Sequence, residues 1–119
     1  MPTNTLDVTA DGITAIVRLR SATVGDNMRK SMLASRAVES PLPDYSDQVV
    51  AYSIFPRCLA CAVDGTVNGK EIKDLTAAEF VELPAEIGEA WLTAALELNP
   101  GWSLNPPKPA EAASAEKKD

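Results

Sequence analysis

The stretch DYSDQVVAYSIFPRCLACAVDG, residues 44–65, constrains the fold more than any other. After Ser46, Asp47 and Gln48, only Ser53 and Arg57 interrupt an apolar run. A helix that is apolar nearly all round needs cover on every side. The stretch therefore predicts a central, buried helix over about residues 45–62. Pro56 falls in its middle. Proline lacks a backbone donor and its ring crowds the carbonyl four residues back, so a kink or a division is expected there. Asp64-Gly65 is a turn signal and ends the helix.

The same stretch holds both cysteines of the chain, Cys58 and Cys61, at CxxC spacing. A structural zinc site needs four ligands, usually Cys or His, and the chain has no histidine. A redox dithiol sits at a helix N-terminus, where the dipole lowers the thiol pKa. Here the pair lies inside the expected helix, unless Pro56 opens a new one and puts Cys58 in its first turn. At i, i+3 on one helical face, the two thiols read as small hydrophobes of the core. The absence of histidine also removes the commonest general base and every Ser-His or Cys-His pair. No P-loop or dinucleotide fingerprint occurs. Acid pairs such as Glu86 and Glu89 lie on an exposed helical face. No catalytic, cofactor-binding or metal-binding residue is assigned, and the chain is expected to act by binding.

Residues 5–20 read as a β-hairpin turned by Asp11-Gly12. A helix over about 24–38 follows, with Thr23 as N-cap and Asp26 three residues on. Its apolar stripe is Val24, Met28, Met32, Leu33 and Ala37. Asp64-Gly65 and Asn68-Gly69 predict a small hairpin or a structured loop over 63–75. Thr76 and Glu79 form a capping box for a short helix over about 77–82. Pro84 opens a last helix over about 85–98, whose stripe is Ile87, Trp91, Ala94, Ala95 and Leu98. Leu92 and Leu96 widen that stripe, and Trp102 follows the helix. Trp91, Leu92, Leu96 and Trp102 exceed what one helix needs to dock on a small core, which makes them the candidate partner-binding residues. Residues 105–119 hold no large apolar side chain and are expected to form a flexible tail. The expected fold is α+β, mainly α: one domain over 1–104, with the hairpin followed by a small bundle of about four helices.

The net charge is −6, and the excess acid lies in the second half: residues 1–60 carry six basic and six acidic side chains, residues 61–119 five and eleven. A bulk electrostatic grip on nucleic acid is not expected, although Arg18–Arg36 holds five of the eleven basic residues. No apolar run approaches the ~18 residues of a membrane span. The N-terminus shows neither a basic n-region nor an apolar h-region, so a cytoplasmic setting is expected.

The order of the motifs resembles the tail assembly chaperones of long-tailed bacteriophages. Members often start a helix with T-x-G-D after a strand, here Thr23, Gly25 and Asp26. They approach the last helix through L-x-x-x-E-F-x-x-L-P, here Leu75, Glu79, Phe80, Leu83 and Pro84. They often close it near L-N-P, here Leu98, Asn99 and Pro100. The resemblance spans residues 13–102. It implies a non-enzymatic protein of the host cytoplasm that binds the tape measure protein and keeps it soluble. It also implies help in recruiting tail tube subunits, and absence from the mature virion. Many such chaperones gain a longer form by a programmed frameshift, for which the Lys117-Lys118 pair is a candidate slippery site. The alternative is a structural tail or connector component that stays in the virion.

Overall fold

The computed structural model describes residues 2–103. The expected tail at 105–119 and the lysine pair within it lie outside these residues. The fold is mixed α+β, built on a four-stranded antiparallel sheet in the order β1-β2-β3-β4.

β1 (Thr3–Ala10) and β2 (Ile13–Arg20) form the N-terminal hairpin, with Ala10 opposite Ile13. Asp11 and Gly12 both take positive φ, 52° and 78°, the mirror-image turn whose twist matches the flanking strands. Leu6 and Ala10 on β1, with Ala15, Val17 and Leu19 on β2, point into the core. Alternation on a half-covered sheet produces this pattern.

α1 (Val24–Glu39) crosses to the helical layer. α2 (Tyr45–Val49), a π-helical turn (Val50–Ile54) and α3 (Phe55–Ala60) then run end to end. The proline is absorbed without a break. The Phe55 amide donates to the Val50 carbonyl, five residues back, and this wider turn lets the helix continue through Pro56. Pro56 is itself buried.

The helix ends two residues earlier than its composition predicts, at Ala60. Ala62 to Val67 forms β3 and pairs with β2, with a register shift between Arg18 and Leu19. Val63, Asp64 and Gly65 therefore belong to a strand rather than to a helix end. Gly65 permits the close approach of the two strands: at φ +145°, a Cβ there would stand 2.3 Å from the Ile16 carbonyl oxygen. The Asn68-Gly69 turn, with φ values of 52° and 86°, leads into β4 (Lys70–Glu71). The segment expected as a small hairpin or loop thus extends the N-terminal hairpin into a larger sheet.

A 3₁₀ turn (Ile72–Asp74) leads to α4 (Ala77–Phe80). The Thr76 hydroxyl accepts from the Glu79 amide and the Glu79 carboxylate accepts from the Thr76 amide, the reciprocal capping box. α5 (Ala85–Leu98) lies across β1 and β2, and a 3₁₀ turn (Pro100–Trp102) follows. Phe55, Phe80 and Trp91 stack edge to face at 5.3 and 5.6 Å. These three rings join α3, α4 and α5 over the sheet.

Candidate partner-binding surface

Asp26 sets how α1 sits. Its side chain has no exposure, and the Arg20 guanidinium donates to both carboxylate oxygens at 2.8 and 2.7 Å. Arg29 adds a bond at 2.7 Å, and the Thr23 amide one at 3.1 Å. The hydrogen bonds from Arg20, then those from Thr23 and Arg29, hold the Asp26 carboxyl far below the usual carboxylate range, against the desolvation that opposes them. Arg29 also donates to the Ala60 carbonyl at the end of α3.

This anchoring turns α1 so that Asp26, Lys30, Leu33 and Ala37 face inward. The five residues expected as one core stripe span more than half of the helix circumference at 100° per residue, so no orientation of α1 could bury them all. Leu33 and Ala37 pack inward, whereas Val24, Met28 and Met32 are 90%, 61% and 50% exposed. At 100° per residue these three, joined by Val38 at 58% exposure, lie opposite the buried face. Arg29 and Arg36 border the exposed stripe on one flank. On the next helix Tyr45, Val49 and Tyr52 are exposed at i, i+4 and i+7. Apolar side chains at helical spacing on an uncovered face are the form of a helix-docking surface.

The residues selected on α5 sit deeper. Trp91 has no exposure, and its indole N–H donates to the Cys58 carbonyl at 3.1 Å. Trp102 is buried under the Lys30 ammonium, 4.9 Å from the ring centre, and its carbonyl accepts from Arg57 at 2.6 Å. Burial, then the Arg57 charge, lowers the Lys30 pKa. Leu92 and Leu96 are half-buried against the core. Leu92 borders an apolar groove of about 250 Å³ with Val50, Ile54, Phe80 and Leu83. A larger groove, about 500 Å³, runs between α1, α3 and the 72–74 turn. Leu33, Leu59, Ile72 and Leu75 line it together with charged side chains that include Arg29 and Lys73. No sequence signal marks either groove, because each is made by chain segments far apart.

The residues that carry the family resemblance are joints of the fold. Thr23 and Asp26 cap α1, and Thr76 and Glu79 cap α4. Phe80 is the middle ring of the aromatic chain. The Asn99 carbonyl oxygen accepts from the Ala22 amide at 2.7 Å, and its NH₂ donates to the Arg20 and Ala95 carbonyls. The end of α5 is thereby fixed to the strand exit that leads into α1.

Both cysteines are free and buried. Desolvation, and next the neighbouring Cys61, pushes the Cys58 thiol well above its ordinary value. Burial pushes Cys61 up to about 11. Pro56 opens no new helix, because the π turn carries the helix through it, so Cys58 does not stand at a helix N-terminus that would lower its pKa. Among the described residues no group of three or more His, Cys, Asp or Glu side chains is placed to hold a metal ion, and no helix is long and apolar enough to cross a membrane.

Comparison with protein-family models, with curated proteins and with solved structures finds no match to this chain.

Proposed function

We propose that this protein is a non-enzymatic tail assembly chaperone of a long-tailed phage. In this reading it acts in the host cytoplasm, covers an apolar helical segment of the tape measure protein and helps recruit tail tube subunits, the latter through a frameshifted longer form. It leaves before the virion is complete. One observation carries the reading: the exposed apolar stripe Val24, Met28, Met32 and Val38 on α1. Methionine is flexible and polarisable, which suits a surface that must accept several related helix faces. The Arg29 and Arg36 flank suits a client helix with acidic residues along its edge. A second copy suits it less. In a two-fold antiparallel helix pair each flank meets itself, which would set these arginines against their own copies.

The test is co-expression with the tape measure protein. The expected result is a soluble complex that Met28→Ser with Met32→Ser dissolves while the chaperone stays folded. A complex unaffected by that double change would overturn the assignment of the surface. Recovery of the protein from purified virions would favour a structural tail component instead.

A further inference from the structure

The two edges of the sheet are built differently. β4 ends one edge after two residues, both charged, and the chain then turns into a 3₁₀ helix. The other edge is β1, eight residues long, paired to β2 without a register break. It holds no lysine, no bulge and no proline, and its single charge is Asp7. These are the devices that ordinarily blunt an edge strand. Among the described residues no other element pairs with its outer side.

The hairpin turn decides which groups that edge offers. A two-residue turn makes Ala10 and Ile13 a mutually bonded pair. The even-numbered residues of β1 therefore bond to β2, as the Ser21 amide does to the Pro2 carbonyl at 2.9 Å. The amides and carbonyls of Thr3, Thr5, Asp7 and Thr9 point outward. Their side chains share the solvent face, while Leu6, Val8 and Ala10 share the core face.

We propose that β1 pairs antiparallel with β1 of a second copy, joining two four-stranded sheets into one of eight strands. Keeping like faces together requires that paired residue numbers sum to an even value. A sum of 14 would set Asp7 against Asp7. A sum of 12 sets Leu6 against Leu6 at the two-fold axis, and Thr5 against Asp7 and Thr3 against Thr9 twice each. In that register each carboxylate meets a hydroxyl donor rather than another carboxylate. The edge is thus complementary to itself. This interface is separate from the α1 stripe and does not depend on the proposed function.

Sedimentation equilibrium from about 10 μM to about 1 mM, in salt near 0.15 M to screen the net charge, tests the pairing. The expected mass rises from 12.6 kDa to twice that value. Thr5→Pro removes only an outward donor, so it should leave a folded monomer. Thr5→Lys faces Asp7 of the second copy and should tighten the dimer about fivefold or more. Thr9→Lys faces Thr3 and should not. A monomer at every concentration, a dimer indifferent to Thr5→Pro, or equal responses to the two lysines would overturn the proposal. Amide exchange of the unmodified protein gives an independent reading. The amides of Thr3, Thr5, Asp7 and Thr9 should slow as concentration rises. Slowing only when the tape measure protein is added would assign the edge to that client and overturn self-pairing.

Discussion

The guanidinium of Arg20, at the end of β2, grips the carboxylate of Asp26, in the first turn of α1, through two hydrogen bonds of 2.8 and 2.7 Å. The strand exit and the helix start are thereby one structural unit. Asp26 is the buried member of the pair, and neutralising it weakens the charged hydrogen bonds it accepts from Arg20 and Arg29, at a cost of about 2–3 kcal/mol. Asp26→Asn should therefore lower the midpoint of thermal unfolding by roughly 10–20 °C, measured by circular dichroism.

The same carboxylate makes stability acid-sensitive. Its folded pKa lies below the unfolded value of about 3.9. Its contribution is complete above about pH 5 and is lost as pH falls through the folded pKa. Urea unfolding at a series of pH values should show a steep loss below about pH 5, and Asp26→Asn should flatten that slope.

Cys58 and Cys61 are expected to be inert in the folded state. A thiol reagent at neutral pH should label them only after unfolding, because burial raises both pKa values. Replacing both by Ala should cost roughly 1–3 kcal/mol through lost packing and leave client binding intact. Fast labelling of the native protein would contradict this placement.

Gly65→Ala should cost about 2–4 kcal/mol. Its Cβ would meet the Ile16 carbonyl oxygen at 2.3 Å and the Val17 Cα at 2.7 Å, both backbone atoms unable to turn aside. The loss should appear as faster amide exchange across β2 and β3. A variant as stable as the parent would show that the two strands separate freely there.

Two double substitutions separate surface from core. Met28→Ser with Met32→Ser alters exposed side chains and should change stability by at most about 1 kcal/mol while weakening tape measure binding. Leu92→Ser with Leu96→Ser alters half-buried side chains packed on the core and should cost about 2–4 kcal/mol. If the second pair abolished binding without loss of stability, the client surface would lie on α5 after all.

Local chemistry was readable residue by residue. Asp11-Gly12 announces its turn because few residues accept positive φ. Thr23 with Asp26 and Thr76 with Glu79 announce helix starts, because orphan amides need nearby acceptors. The apolar run 49–60 announces burial only in part: Ala51, Phe55, Pro56, Cys58 and Ala60 are buried, whereas Val49 and Tyr52 stay exposed, so the expected all-round burial of this helix is not found. Tertiary structure alone decided the rest. Whether Ala62–Val67 finishes a helix or joins β2 depends on a strand more than forty residues away. Whether Pro56 breaks its helix depends on the π turn Val50–Ile54, whose Phe55-to-Val50 hydrogen bond carries the helix past the ring and which no 3.6-residue periodicity signals. The 100° step of α1 already separates Val24, Met28 and Met32 from Leu33 and Ala37, but periodicity does not say which of the two arcs turns inward. The direction came from Asp26, a charged residue that is buried only because Arg20 and Arg29 meet it in space. Periodicity cannot foresee such a pair, so only the folded structure shows that α1 turns its methionines outward, and only it shows that Trp102, beyond the last helix, is buried beneath Lys30.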